Sequence, residues 1–113
     1  MTQRANLPKP GSKARGTRSG RPIMVLLDLL GRRWTLRVLW ELREGPLRFR
    51  PLQEGCGGLS PTVLNRRLAE LRAAGIVASA TPEGYELTNE GRKLLRALAP
   101  LGDWARRWAA PSD

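Results

Sequence analysis

Residues 59–76, LSPTVLNRRLAELRAAGI, decide the fold. Ser60 followed by Pro61 is typical of a helix start. The Ser hydroxyl can accept a hydrogen bond from a free backbone amide, and proline at the first helical position needs no amide partner. Gly75 can adopt the left-handed conformation that ends a helix. The segment therefore predicts a helix from Pro61 to about Ala74.

The two sides of this helix differ in chemistry. Three leucines recur at helical spacing and form one apolar stripe, made of Leu64, Leu68 and Leu71. The opposite side of the N-terminal half carries the predicted base-contacting residues Pro61, Thr62, Asn65 and Arg66. Asn can bond adenine and Arg can bond guanine through paired hydrogen bonds in the major groove. Taken singly, such polar residues are more often ordinary solvent-facing positions, so their place in the fold decides their meaning.

Further basic or polar residues lie at the ends of predicted helices and could contact DNA phosphates. The predicted phosphate contacts are Arg32, Arg33, Arg48, Arg50, Ser60 and Arg67. Arg67 lies beside the leucine stripe, so we expect its stem to pack and its head group to reach a phosphate. Arg48 or Arg50 could equally pair with Glu44 or Glu54.

The elements around the central helix predict a mainly α fold with one β-hairpin. Apolar spacing predicts helices over 22–30, 34–43 and 48–55 before it, and the second of these should turn Leu36, Leu39, Trp40 and Leu42 inward. After it come two short strands, 76–80 and 85–88. A last helical region over 89–110, capped by Thr88, is interrupted near Pro100. The order helix-helix-helix-helix-hairpin-helix is that of a winged helix-turn-helix.

The hairpin, or wing, carries no Lys or Arg between Val77 and Leu87. Its two charged residues, Glu83 and Glu86, are acidic. Phosphates would repel them, so we expect a short structural wing with a weak role in DNA contact.

The terminal helices predict a dimer. The first helix is apolar on more than one side, and Trp104 and Trp108 lie one turn apart on the last. The predicted dimer interface is Ile23, Leu26, Leu27, Leu30, Leu101, Trp104 and Trp108. Two alternatives stay open: the first helix could be a central core helix, and the tryptophans could close the core of a monomer.

Charge and length indicate the domain organisation. A chain of 113 residues has room for one ordinary domain, and its net charge of +10 favours polyanions such as nucleic acid. Residues 1–21 hold six basic and no acidic residues, without hydrophobic periodicity. They predict a disordered basic arm, either a solubility tail or a segment that follows DNA phosphates. Residues 22–113 form the predicted domain.

The sequence lacks the residues that several classes of function require. There is no His for acid–base catalysis or metal binding, and a single Cys, Cys56, allows no intrachain disulfide or multi-Cys zinc site. No glycine-rich phosphate loop is present. We expect no enzyme activity, metal or cofactor. Cys56, in a Gly-rich turn, is more readily explained as a small structural residue than as a thiol sensor. With no long apolar run or signal peptide, a cytoplasmic protein without a membrane partner is expected.

The order of several short motifs resembles that of HxlR-type regulators, which are winged helix-turn-helix proteins related to the MarR group. The resemblance covers residues 23–108 and rests on LLDLLGRRWT at 26–35, LWEL at 39–42, GPLRF at 45–49, LSP at 59–61 and YELT at 85–88. It implies homodimers on roughly two-fold-symmetric operators, with dimer contacts from the first and last helices. Arg21-Pro22 stands where the family has Cys-Pro, so the family's redox switch is not carried over. The wing is also shorter than usual and lacks the family's basic residue.

The sequence therefore predicts a homodimeric transcriptional regulator that binds double-stranded DNA at a roughly palindromic operator. The alternative is a winged-helix interaction module whose basic surface binds an acidic protein partner. Asn65 and Arg66 favour DNA, because a flat protein interface does not require base-contacting groups. The sequence leaves open whether a small molecule acts as an effector.

Overall fold

The computed structural model describes residues 20–111 and contains six helices and one two-stranded sheet in that range. Most of the predicted basic arm, residues 1–19, lies outside the described residues. In chain order the elements are α1 (Pro22–Leu30), α2 (Thr35–Glu41), α3 (Phe49–Gly55), α4 (Pro61–Ala73), β1 (Val77–Ala80), β2 (Gly84–Leu87), α5 (Asn89–Leu98) and α6 (Pro100–Ala109). The predicted element order is confirmed.

The helix boundaries follow the local sequence. The Ser60 hydroxyl accepts a hydrogen bond from the Val63 amide at 3.2 Å, and Pro61 is the first residue of α4. Thr88 caps α5 in the same way, accepting from the Gly91 amide at 3.0 Å. Gly75 follows α4 with φ +78°, in the left-handed region that favours glycine. These three capping predictions are confirmed.

The wing is an antiparallel pair in which Val77 faces Leu87 and Ala80 faces Gly84. A third segment joins it, because Leu47 and Tyr85 exchange two backbone hydrogen bonds of 3.0 and 2.8 Å. At Gly84 a Cβ atom would lie only 2.8 Å from the Leu47 carbonyl oxygen. Glycine at this position therefore allows the chain before α3 to approach the wing closely.

The core lies between α2, α3, α4 and the base of the wing. Its fully buried side chains are mostly leucines, and the three predicted leucines of α4 are 0–2% exposed. The largest buried members are Leu39, Leu42, Leu52, Leu64, Leu71, Val38 and Thr35. The apolar stripe of α4 is confirmed as the face that anchors this helix to the protein.

For two of the four α2 residues predicted to face inward, the prediction is wrong. Leu36 is 49% exposed and Trp40 is 54% exposed. Both lie on a second side of α2, because the core-facing side is formed by Thr35, Val38 and the two remaining leucines, Leu39 and Leu42. An apolar residue on a short helix can thus belong to a surface instead of the core, and Leu36 and Trp40 become part of the groove described below.

Candidate nucleic-acid interface

The exposed side of α4 carries the predicted base-contacting residues. Pro61, Thr62, Asn65 and Arg66 are all exposed, whereas Leu64 between them is fully buried. Within residues 20–111, the Asn65 and Arg66 side chains have neither a hydrogen bond nor an ion pair to the protein. Their amide and guanidinium groups are therefore available to an external partner on one accessible helix face.

Three predicted phosphate-contacting arginines are also at the surface. Arg33 is exposed, with its guanidinium 5.9 Å from the centre of the Trp34 ring. Arg48 is exposed and makes no ion pair within the described part of the chain. Arg50 lies 3.9 Å from Glu54, and both side chains are more than 70% exposed. An exposed pair at that distance is weak, so Arg50 can exchange Glu54 for a phosphate at little cost.

Arg48 and Arg50 lie beside the wing. Together with Ser79, Gly84 and Tyr85 they line an open hollow of about 520 Å³. The hollow forms because the Leu47–Tyr85 hydrogen bonds hold the start of α3 against the second strand. The wing, which has no basic residue of its own, thus has two arginines directly next to it.

Arg32 and Arg67 do not extend into solvent. Both side chains are only 14% exposed, and both contact the carboxylate of Glu70, Arg32 at 3.0 Å and Arg67 at 2.8 Å. Arg67 also donates from Nε to the Arg33 carbonyl oxygen at 2.7 Å. The expectation that the Arg67 head group extends outward is therefore wrong, because a buried carboxylate takes it up. Ser60 is exposed, but its hydroxyl accepts the capping hydrogen bond of α4.

Glu70 is the residue that sequence reasoning missed. In the sequence it is one of several charged residues on α4, although its position three residues after Arg67 is the spacing at which helical ion pairs form. That spacing could have indicated a pair, but the contribution of Arg32 comes from a distant turn and has no local signature.

Five of the seven predicted dimer residues are exposed apolar side chains, and Leu26 and Leu30 are partly buried. In α6 all residues are exposed, including Leu101 at 60% and Trp108 at 74%. In α1 only Val25 and Leu29 are buried, whereas Ile23 and Leu27 are about half exposed and Leu26 and Leu30 are partly buried. The structure thus contradicts both alternatives, a central core position for α1 and a tryptophan-closed monomer core.

An apolar groove lies between α1, α2, α5 and α6, and three of the predicted dimer residues, Leu27, Leu30 and Leu101, line it. It has a volume of about 1170 Å³, and its apolar lining includes Leu27, Leu36, Trp40, Leu95, Leu98 and Leu101. Leu36 and Trp40, predicted to face the core, face this groove instead. A single subunit therefore leaves an apolar groove open to solvent, and such grooves mark interaction sites.

Cys56 is 2% exposed and belongs to the hydrophobic core. Burial raises the pKa of its thiol, the negative charge of Glu41 raises it further, and Arg37 opposes the shift. A buried thiol with a raised pKa forms little thiolate, so the environment favours the structural interpretation over a reactive sensor. Among residues 20–111 no group of acidic, His or Cys side chains could hold a metal ion.

The fold is that of a winged helix-turn-helix protein with extra terminal helices. The chain belongs to the HxlR-like helix-turn-helix family, whose model matches residues 29–113. The resemblance inferred from the sequence motifs is thus confirmed.

Named relatives and solved structures agree with this assignment. The HTH-type transcriptional regulator YvaP of Bacillus subtilis is 34% identical over 92 residues, which cover 76% of this chain and 85% of YvaP. The B. subtilis regulator YodB is 33% identical, with 76% and 82% covered.

Among solved structures, reduced YodB superimposes with a TM-score of 0.70 at 32% identity, over 82% of this chain and 98% of YodB. A possible HxlR family transcriptional factor from Thermoplasma volcanium gives 0.68 at 27% identity, over 78% and 84%. The chain is therefore a transcriptional regulator of the HxlR and MarR type, and these relatives are regulators rather than enzymes. No helix among residues 20–111 has the length and hydropathy needed to cross a bilayer.

Proposed function

We propose that this protein binds double-stranded DNA sequence-specifically as a homodimer, with α4 of each subunit in the major groove of one half of a roughly palindromic operator. The observation that carries the proposal is the division of α4 into two faces. Its leucines are buried, while Asn65 and Arg66 are exposed and have no partner among the described residues. A helix anchored on one side and polar on the other suits major-groove binding.

The proposed contacts divide into two kinds. Arg66 is assigned to a guanine and Asn65 to an adenine, with Pro61 and Thr62 at the tip of the helix close to the groove. Arg33, Arg48 and Arg50 are assigned to phosphates, together with the Ser60 segment that begins α4. Arg32 and Arg67 are left out of this set, because Glu70 holds both guanidinium groups inside the protein.

The exposed terminal helices support the dimer. A helix of ten residues such as α6 is too short to be stable in water without packing, yet none of its residues is buried in a single subunit. A second copy that covers α6 and the exposed side of α1 would supply that packing. The same contact would fill the apolar groove and place two α4 helices on one duplex.

A salt titration of DNA binding tests the proposal. Three arginine–phosphate contacts in each subunit, six in the dimer, predict that the logarithm of affinity for random duplex DNA falls against the logarithm of salt concentration with a slope of about −5. Selection from a random DNA pool should then enrich a two-fold-symmetric sequence. If the selection enriched no DNA sequence and the protein bound an acidic polypeptide instead, the proposal would be contradicted and the protein-interaction alternative favoured.

A further inference from the structure

Glu70 is the one charged residue that the structure buries within residues 20–111. Its side chain is 6% exposed, and each carboxylate oxygen contacts a different arginine. Oε2 lies 3.0 Å from a guanidinium nitrogen of Arg32, and Oε1 lies 2.8 Å from one of Arg67. A buried carboxylate needs such compensation, because burial of an unpaired charge is strongly unfavourable.

The two arginines extend this contact to other parts of the fold. Arg32, in the turn after α1, also lies 3.2 Å from the carboxylate of Asp28 in α1. Arg67 donates to the carbonyl oxygen of Arg33 in the same turn. We refer to Asp28, Arg32, Arg67 and Glu70 as the Glu70 cluster. Its two positive and two negative charges balance, so it adds no net charge to the surface.

The Glu70 cluster links two helices that otherwise pack mainly on other elements. The apolar side of α1 packs on α2, while α4 packs on α2 and β1. Apolar contacts are non-directional and tolerate small rotations. Guanidinium–carboxylate contacts require a defined orientation of both groups. Since buried ion pairs often add little net stability over apolar side chains, geometry is the better explanation for this cluster.

We propose that Glu70 is a positioning residue for DNA binding, which fixes the orientation of α4 relative to α1 through Arg32 and Asp28. This inference rests on the proposed function, in which α1 contacts the second subunit and α4 contacts bases. If both helices move as one unit, the distance between the two α4 helices of a dimer is fixed. The accepted spacing between operator half-sites is then fixed as well.

The test uses the full-length protein and a DNA pool in which two copies of the selected half-site are separated by spacers of varied length. Wild-type protein should prefer one spacer sharply. In Glu70→Gln the preference for that spacer over a neighbouring length should fall by about twofold to thirtyfold, the range over which a single substitution changes the coupling between two sites. Affinity for a duplex with a single half-site should change by less than about twofold, since no base contact is removed.

Asp28→Asn is a second variant, which weakens only the contact between Asp28 in α1 and Arg32. The Asp28 side chain is 24% exposed, so the substitution is less disruptive than one at Glu70. It should broaden the spacer preference in the same direction, and it decides the question alone if circular dichroism shows that Glu70→Gln does not fold. Glu90→Gln is the matched control, because Glu90 makes only an exposed pair with Lys93.

Three outcomes distinguish the positioning role of Glu70 from the proposed function. Broadening in the cluster variants but not in Glu90→Gln supports the positioning role. An unchanged, sharp spacer preference in folded Asp28→Asn and Glu70→Gln overturns it, while the proposed function stands. Wild-type protein that enriches no duplex contradicts the proposed function itself, and the positioning role fails with it.

Discussion

Trp104 and Trp108 stack on each other with ring centroids 5.5 Å apart and an interplanar angle of 19°, yet neither ring is buried. Their exposed fractions are 53% and 74%. The stacked rings together present one aromatic surface to solvent. Large exposed aromatic side chains of this kind are typical of the central residues of protein interfaces.

We expect Trp108→Ala to weaken the homodimer. Loss of one interface tryptophan should raise the dimer dissociation constant by about 30-fold or more. Sedimentation velocity over a range of protein concentrations measures the change. Arg107→Ala is the matched control on the same helix, since it removes a long exposed side chain that is not among the proposed interface residues. Equal dissociation constants for wild type and Trp108→Ala would exclude this residue from the interface.

Gly91→Ala should destabilise the fold. A Cβ at Gly91 would lie 2.3 Å from the carbonyl oxygen of Ile76, which itself accepts a hydrogen bond from the Thr88 amide. The methyl group would push the start of α5 away from the segment between α4 and β1, and we expect the free energy of unfolding to fall by about 2 kcal/mol or more.

Gly102→Ala is the control, because a Cβ at Gly102 meets nothing closer than 3.7 Å. It should raise the free energy of unfolding by about 0.5 to 1 kcal/mol through helix propensity. Urea denaturation of wild type and both variants at one protein concentration measures these changes, with subunit association contributing alike to each. If the free energy of unfolding rose in both Gly91→Ala and Gly102→Ala, the close contact with the Ile76 carbonyl would be shown not to matter.

Cys56 should make stability depend on alkaline pH. Its pKa is raised in the folded protein, so the folded state holds the thiol proton more tightly than the unfolded chain does. This contribution is fully present below the thiol's ordinary pKa of 9.0 and is lost as the pH rises through the folded-state pKa. Wild-type protein should therefore lose stability more steeply than Cys56→Ala above pH 9.0. If the free energy of unfolding of wild type and of Cys56→Ala, measured by urea denaturation, changed with pH in parallel, the raised pKa of the buried thiol would be contradicted.

Local sequence features predicted the parts of the fold that depend on neighbouring residues. Ser60 and Thr88 each cap a helix through an amide three residues later, and Gly75 ends α4, so these boundaries follow from side chains within one turn. The leucine stripe of α4 was equally predictable, since the residues at its spacing had to share a face.

Features that depend on distant residues were not predictable. Apolar spacing placed Trp40 in the core, but whether a side chain faces the core or a groove depends on which elements pack on each side of α2. The Leu47–Tyr85 hydrogen bonds and the Arg32–Glu70 contact join residues more than thirty positions apart. The Glu70 carboxylate that binds Arg67 becomes buried only in the tertiary fold. The sequence pattern therefore predicts a phosphate contact for Arg67, where the structure has an internal ion pair.

The central claim concerns the exposed face of α4, and the sequence preference of Arg66→Ala tests it most directly. The measurement is parallel selection from a random DNA pool with wild type, Arg66→Ala and Arg48→Ala. We expect Arg66→Ala to lose preference at one base pair in each half-site, worth about 1–3 kcal/mol of discrimination. Arg48→Ala should keep the selected sequence and lower affinity evenly, as loss of a phosphate contact does. A base preference that is identical in wild type and Arg66→Ala would contradict the assignment of this face to the major groove.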